Sequence, residues 1–166
     1  MDDIHIRLAS ADDAEMVAGM LTQLAADLGD SDVFRSTVDT IRQYGPGGSG
    51  AFQAYVATQG GQPAGLALFF PHFSTTRAAP GVYVQDLWVG ADTRGSGLGK
   101  RLLASVASHA AQAWRAQYLA LTVYHSNPDA RRFYDRLGFQ AHANDQPVAL
   151  TGKGFTDLTA SLQDLS

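Results

Sequence analysis

In the N-terminal part of the chain, apolar positions first alternate with polar ones and then recur every three or four residues. Residues 4–8 alternate apolar with polar side chains, which predicts a half-buried strand. Residues 10–13 then offer helix-capping side chains, and Gly29 suits a helix end. Between them, apolar residues recur every three or four positions and predict one face of a helix: Ala14, Val17, Leu21, Leu24 and Leu28. A second, weaker helix is predicted over 33–44, and the glycine-rich segment 45–50 is predicted as a loop.

Three strands are predicted in the middle of the chain. Residues 51–58 and 64–70 flank the segment Gln59-Gly60-Gly61-Gln62-Pro63, whose composition favours a hairpin turn. A polar connection over 71–81 leads to residues 82–89, which are rich in β-branched and aromatic side chains. Because side chains alternate along a strand, Gln85 and Asp86 are expected to point to opposite faces of the sheet.

Helices and strands also alternate in the second half of the chain. An apolar stripe predicts a helix over 98–114, formed by Leu98, Leu102, Val106 and Ala110 and joined by Leu103, Ala107 and Trp114. Residues 118–123 are an apolar run of strand length, and 127–137 are predicted as a helix that Gly138 ends. Residues 139–143 and 147–151 are predicted as a final pair of strands. This mixture predicts an α/β or α+β sheet with helices on both faces.

The composition is that of a globular protein. With 166 residues, 45% hydrophobic and 17% charged, the chain is expected to form one domain over 1–166 with a real core. It has no apolar run of membrane length and does not start like a signal peptide, so we expect a cytoplasmic protein without a membrane partner. The net charge of −4 argues against nucleic acid as a partner, and the lack of cysteine excludes an acyl-cysteine mechanism.

A glycine-rich loop, Arg94-Gly95-Ser96-Gly97-Leu98-Gly99-Lys100, separates the strand 82–89 from the helix 98–114. Glycines at alternate positions let the backbone approach a ligand without Cβ atoms in the way. The helix directs its free N–H groups and the positive end of its dipole into the loop. With the added charges of Arg94 and Lys100, this pattern predicts a phosphate-binding loop. A strand-to-helix turn without a ligand is the alternative.

Two common phosphate-binding sequences do not fit this loop. The Walker sequence requires glycine five residues before its Gly-Lys pair and serine or threonine after it, where this chain has Arg94 and Arg101. The dinucleotide fingerprint requires a wider final spacing than Gly95-x-Gly97-x-Gly99 provides.

The segment Arg94-x-x-Gly97-x-Gly99 resembles the acetyl-CoA signature of the GNAT superfamily of N-acetyltransferases, (Gln/Arg)-x-x-Gly-x-(Gly/Ala). It also lies where that family has it, after the fourth strand and at the start of the third helix. Within the superfamily, residues 65–70 and 82–89 look most like the diamine (spermidine/spermine) acetyltransferase branch.

A second segment, Asn127-x-x-Ala130-x-x-Phe133-Tyr134-x-x-x-Gly138-Phe139, is similar to the family's Asn-x-x-Ala-x-x-Phe-Tyr-x-x-x-Gly-Phe. The spacing puts Asn127, Ala130 or Arg131, and Tyr134 on one helix face, which suits one wall of a cofactor cleft. The alternative is an ordinary amphipathic helix, and we accept that interpretation for Phe133 and Leu137.

The resemblance implies a fold, a reaction and a set of site residues. The fold is a mixed, mostly antiparallel sheet of about six to seven strands, splayed between the fourth and fifth, with helices on both faces. The reaction is direct acetyl transfer from acetyl-CoA, a co-substrate, to a primary amine of a small molecule, without metal and in a homodimer. The implied cofactor-binding residues are the loop 94–100, the backbone of Leu87, Trp88 and Val89, and Asn127, Ala130 and Tyr134. Tyr134 matches the family's general acid. A phenol stays protonated at neutral pH and can therefore donate a proton to a thiolate.

The general base and the acceptor are left open. Asp86 is the candidate catalytic base and, with Gln85 and His125, a candidate substrate contact, while His125 and His72 are alternative bases because histidine titrates near neutrality. Diamine acetyltransferases carry acids at the position of Gln85 and in the segment matching 73–77, where this chain has none. The acceptor therefore stays open among amino acids, diamines and aminated antibiotics. No histidines have the helix-face spacing of a metal site.

Two further functions remain as alternatives. A CoA-binding sensor without turnover would keep the loop and lose the acceptor site. Acetylation of a protein amine would require an open groove in place of a closed pocket.

Overall fold

Five strands form one sheet in the computed structural model, which describes residues 3–142, 144–145 and 147–161. In sheet order, which is also chain order, they are β1 (Ile4–Leu8), β2 (Gln53–Gln59), β3 (Gln62–Ser74), β4 (Ala79–Val89) and β5 (Leu119–Leu121). The first three pairs are antiparallel, and β4 and β5 are parallel. The mixed, mostly antiparallel sheet confirms the predicted fold class, although the described residues form five strands where we expected six to seven.

The described residues also form five helices: α1 (Ala14–Leu28), α2 (Val38–Tyr44), α3 (Leu98–Trp114), α4 (Pro128–Arg136) and α5 (Gly152–Ala160). Short 3₁₀ turns at Ala11–Asp13 and Ala91–Thr93 precede α1 and α3. The chain divides into two compact units, one up to Asn127 with the sheet and α1 to α3, and one from Pro128 with α4 and α5. A single domain over 1–166 stays a prediction. No helix in the described part of the chain is long and apolar enough to cross a membrane.

Local sequence fixes both ends of α1. Ser10 and Asp13 form a capping box before the helix, and Gly29 ends it in the left-handed conformation with φ +78°. The face of α1 that carries Val17 and Leu21 is buried against Val56, Leu66 and other residues of the sheet and α2. This core confirms the apolar stripe predicted from the spacing.

The opposite face of the sheet is covered by α3. A Cβ atom at Gly65 would meet the side chains of Leu98 and Leu102, and the His109 ring lies edge-on to Phe69 at 5.8 Å. Since Gly65 and Leu66 are neighbours on β3 and face α3 and α1 respectively, the two helices pack on opposite faces. The predicted stripe of α3 is buried at most of its positions, with Ala107 exposed.

Several predicted boundaries were wrong. Residues 71–81 are not a connection: β3 extends to Ser74 and β4 starts at Ala79, because ladder pairing satisfies the backbone even where side chains are polar. The helix predicted over 33–44 begins at Val38, where Thr37 and Thr40 form a capping box. Residues 139–142 and 147–151 form no strand, since short runs have weak propensity without a ladder partner, and Ala143 lies outside the described residues.

A β-bulge in β4 interrupts the simple alternation of side chains between Val84 and Asp86, and the expectation that Gln85 and Asp86 point to opposite faces stays a prediction. Leu68 pairs with Asp86 whereas its neighbour Phe69 pairs with Val84, so Gln85 is an extra residue in the ladder. Asp86 consequently shares the α1 face of the sheet with Leu68, and Val84 shares the α3 face with Phe69. Gln85 itself is exposed.

Candidate active site

The fourth and fifth strands separate beside the glycine loop. Their pairing joins Val82–Val84 to Leu119–Leu121, and β4 then continues to Val89 while remaining paired with β3 on its other side. No β5 residue in the described part of the chain pairs with β4 beyond Val84. The splay predicted between these strands is therefore present, and one backbone edge of residues 85–89 has no strand partner in the described part of the chain.

The glycine loop has the geometry of an anion site. Gly95 and Gly97 both adopt positive φ, +78° and +80°, and a Cβ at either would meet no heavy atom within 4 Å. Gly97 is the N-cap of α3, so the first N–H groups of a 17-residue helix point into the loop. The side chain of Leu98 is 1% exposed and anchors the helix start in the core. The loop thus offers open space next to backbone donors.

Side chains at the start of this loop hold it to the sheet. Thr93 is buried, and its hydroxyl donates to the Ala64 carbonyl oxygen at 3.1 Å. The Ser96 hydroxyl donates to the Thr93 carbonyl oxygen at 2.6 Å. The Arg94 guanidinium donates to the Val89 carbonyl oxygen at 3.2 Å and to an Asp27 carboxylate oxygen at 2.8 Å. Gly99 and Lys100 form the first turn of α3, with Lys100 exposed.

Asp86 is a half-buried carboxyl with an altered affinity for protons. Its desolvation raises its pKa from 3.8 to about 6. At neutral pH most of the group is ionised, yet it binds a proton far more readily than an exposed aspartate. These are the properties expected of a general base that works near neutrality.

A second carboxyl lies close to this region through Tyr124. The Tyr124 hydroxyl donates to Asp30 at 2.9 Å, and the pKa of Tyr124 is raised, first by this hydrogen bond and the Asp30 charge, with a smaller contribution from the charge of Asp86. Two carboxylates therefore act on one phenol at the surface of the first unit. Their combined negative charge suits a cationic amine.

In the second unit, Tyr134 is a half-buried phenol on α4. Its ring contacts those of Phe133 and Phe139, with centroids 5.2 and 5.4 Å away. Burial raises the pKa of Tyr134 to about 12, so the hydroxyl is protonated throughout the neutral range. Ala130 on the same helix and Asn127 before it are half-buried. A protonated, desolvated phenol is suited to donate a proton.

The two histidines considered as alternative bases, His125 and His72, are not half-buried as Asp86 is. His125 is exposed, and His72 shares a short hydrogen bond with the Tyr118 hydroxyl near the start of β4. Within residues 3–142, 144–145 and 147–161, no three His, Cys, Asp or Glu side chains are placed to hold a metal ion.

Sequence reasoning missed Asp27, Asp30 and Tyr124. For Asp27 a signal existed: a carboxylate in the last turn of a helix opposes the helix dipole, so it usually has a specific cationic partner. Asp30 and Tyr124 are far apart in sequence and carried no signal, because only the fold brings them together.

Comparison with known proteins assigns the family. The sequence model of the acetyltransferase (GNAT) family matches residues 21–139. L-ornithine N5-acetyltransferase of Arabidopsis thaliana is 33% identical over 91 residues, 54% of this chain and 39% of that protein. Spermine/spermidine N(1)-acetyltransferase of Bacillus subtilis is 28% identical over 82 residues, 48% of this chain and 54% of that protein. The chain thus matches about half or less of the length of these curated relatives.

The fold has relatives among solved structures. An aminoglycoside N-acetyltransferase in complex with CoA superposes with a TM-score of 0.68 at 18% identity, covering 92% of this chain and 96% of that one. At this identity the likeness concerns the fold alone. The predicted cytoplasmic location and homodimer stay predictions.

Proposed function

Because the chain belongs to the GNAT family of acetyltransferases, we propose that it transfers the acetyl group of acetyl-CoA to a primary amine of a small molecule. The transfer is direct and takes place in a ternary complex. The absence of cysteine from the sequence agrees with this route, since it needs no thiol nucleophile.

The observation that carries the proposal is the open edge of β4 next to the N-terminus of α3. An extended pantetheine arm carries amide groups that can pair with a free strand edge, and its pyrophosphate needs backbone donors and a helix dipole. The chain offers both within one continuous segment, residues 85–100. When bound, acetyl-CoA supplies the activated thioester carbon.

Each cofactor-binding residue then has a defined task. The backbone N–H groups from Gly95 to Lys100 bind the pyrophosphate, and the positive φ of Gly95 and Gly97 keeps side chains out of its way. The backbone of Leu87, Trp88 and Val89 pairs with the pantetheine arm, and the Leu87 N–H donates to the thioester oxygen. By resemblance to the family, Asn127 and Ala130 also contact the cofactor.

Two ionisable side chains move the protons. The acceptor arrives as an ammonium ion, and Asp86, with its pKa of about 6, accepts the proton that must leave before nitrogen can attack. A C–N bond forms and the C–S bond breaks. By resemblance to the family, Tyr134 donates its hydroxyl proton to the departing sulfur, and the nitrogen then loses its second proton, which restores the Tyr134 hydroxyl. With a pKa of about 12, Tyr134 is fully protonated beforehand and recovers its proton readily.

The charges around Tyr124 favour an acceptor with more than one positive charge. While Asp86 accepts the proton of the reacting amine, Asp30 remains available for a second cationic group of the same molecule. The similar proteins named for ornithine and spermine also act on amines of this kind. We therefore rank diamines, polyamines, diamino acids and aminoglycosides above simple monoamines.

The decisive experiment measures free-thiol release from acetyl-CoA across a panel of these amines. Wild type is compared with Tyr134→Phe, which removes the proton donor, and with Tyr44→Phe, a matched loss of an exposed hydroxyl at the end of α2. Amine-dependent release that falls by about 10²–10⁴ in Tyr134→Phe and is unchanged in Tyr44→Phe supports the proposal.

Three other results would contradict it. CoA binding without release for any small amine would favour a sensor, and release with peptide amines alone would favour a protein substrate. If neither CoA nor acetyl-CoA binds, the proposed use of acetyl-CoA is wrong.

A further inference from the structure

One carboxylate joins three elements that meet at the start of the glycine loop. Near the end of α1, an Asp27 carboxylate oxygen accepts hydrogen bonds from the Trp88 indole N–H at 3.1 Å and from the Arg94 guanidinium at 2.8 Å. The other carboxylate oxygen accepts from the Gln23 amide at 3.0 Å. We call Asp27, Trp88 and Arg94 the Asp27 junction. It connects α1 to the open end of β4 and to the first residue of the loop.

The charges of the junction are balanced within it. Burial alone would raise the pKa of Asp27, but the hydrogen bonds from Gln23 and Trp88 and the charge of Arg94 outweigh it and lower the pKa below its ordinary value. Asp27 is therefore ionised at neutral pH. The Arg94 charge is already compensated by Asp27, which lowers the attraction of this guanidinium for a phosphate.

The location of the guanidinium also separates it from the loop amides. Asp27 belongs to α1, which covers one face of the sheet, whereas Gly97 begins α3, which covers the other. The Arg94 guanidinium further donates to the Val89 carbonyl oxygen and so closes the segment between the end of β4 and the loop. Arg94 thus links α1, the end of β4 and the start of the loop.

We propose that Asp27 is a positioning residue for acetyl-CoA binding and that Arg94 contributes to that binding through Asp27 and not as a phosphate ligand. This role rests on the proposed function. Asp27 keeps the open edge of β4 and the glycine loop at the separation that one extended cofactor has to span. Asp86 and Tyr134 are not part of the junction, so the chemical step does not depend on it.

The test combines acetyl-CoA affinity with kinetics. Asp27→Asn keeps the size of the side chain and removes its charge. The ion pair is partly solvated, with side chains 31% and 56% exposed, so we expect the Kd and KM for acetyl-CoA to rise about three- to tenfold. The kcat at saturation should stay within about twofold of wild type, because an interaction that serves binding equally in ground and transition states changes KM alone.

A matched control uses a carboxylate–arginine pair just before α1. Asp13 and Arg7 form two hydrogen bonds of 2.7 and 2.8 Å, and the Asp13 side chain is 8% exposed. Asp13→Asn should destabilise the fold at least as much as Asp27→Asn and leave the KM for acetyl-CoA unchanged. If instead both variants raise KM in proportion to their loss of stability, Asp27 has no role beyond folding and the inference is wrong.

A double-mutant cycle distinguishes positioning from direct phosphate contact. If Arg94 acts through Asp27, Arg94→Met and Asp27→Asn weaken binding to a similar extent, and the double variant binds about as well as either single one. If Arg94 binds phosphate itself, Arg94→Met weakens binding well beyond Asp27→Asn, which would overturn the inference.

Amide hydrogen exchange without acetyl-CoA tests the role of Asp27 independently of whether the protein binds the cofactor. Asp27→Asn should accelerate amide exchange over residues 90–97, whereas Asp13→Asn should not. Faster exchange in a protein that binds no acetyl-CoA would contradict the proposed function while confirming that Asp27 positions the loop. Unchanged exchange and unchanged affinity would contradict the role of Asp27 alone.

Discussion

Replacing Asp86 by asparagine is expected to stabilise the protein at neutral pH while removing most of its activity. The wild-type carboxyl is half-buried, and its ionisation is opposed by desolvation. Asparagine has nearly the same shape and carries no charge to desolvate. Comparison with this variant therefore measures how much the desolvated Asp86 carboxylate lowers the free energy of unfolding.

The size of the effect follows from the change in proton affinity. Each tenfold change corresponds to about 1.4 kcal/mol, so a pKa raised from 3.8 to about 6 corresponds to about 3 kcal/mol at neutral pH. Because the side chain is partly solvated and the buried amide has its own desolvation cost, we expect a gain of about 1–3 kcal/mol for Asp86→Asn.

The sign and the pH range also follow. The folded protein binds the Asp86 proton more tightly than the unfolded chain does, so the favourable contribution is complete below about pH 4 and is lost as the pH rises through about 6. Asp86→Asn and wild type should therefore be equally stable near pH 4. The variant should gain its advantage between about pH 4 and 6 and keep it at higher pH.

Urea unfolding from pH 4 to 8 measures this difference, and other titrating groups cancel between the two proteins. In parallel, the kcat/KM of wild type should decline below about pH 6, and Asp86→Asn should lose about 10²–10⁴ in rate. A stability difference that does not vary with pH would show that Asp86 is not desolvated. An acid limb that persists near pH 6 in the variant would assign the base to another group.

Two further predictions concern Asp13, which precedes α1, and Gly97 in the glycine loop. Asp13→Asn should destabilise the fold by about 1–2 kcal/mol at pH 7 by urea unfolding, because the hydrogen-bonded Arg7 lowers the pKa of Asp13 to about 2; this loss should disappear as the pH falls toward 2. Gly97→Ala should cost about 1–2 kcal/mol of stability through its positive φ and should also weaken acetyl-CoA binding in calorimetry. Gly61→Ala, with φ +78° and equally open space in the β2–β3 turn, should show the strain alone; equal effects of both variants on affinity would contradict the phosphate-binding role.

The sequence predicted the elements whose signals are local. The capping box at Ser10, the stop at Gly29 and the stripes of α1 and α3 all came from spacing and terminal residues, and the structure confirms them. The glycine loop was found for the same reason, since its conformation depends on residues within the loop.

Features that depend on pairing across the sheet could not be predicted. The polar segment 71–74 gave no strand signal, yet β3 extends through it because β4 lies alongside to pair with it. The bulge at Gln85 arises because β4 has one residue more than the paired part of β3. The sequence of either strand alone does not show this difference. The same holds for the Asp27 junction and for the pair of Asp30 and Tyr124, whose partners are distant in sequence.

The bulge at Gln85 has a consequence for how this protein can diversify. The ladder needs a residue there but makes no demand on its side chain, which is exposed, whereas Val84 and Trp88 on either side are buried. Substitutions at position 85 should accordingly accumulate by drift at little cost in stability, immediately next to the proposed base. A lineage can therefore explore new acceptors at this position without repacking its core, and a laboratory library aimed at acceptor choice would randomise it first.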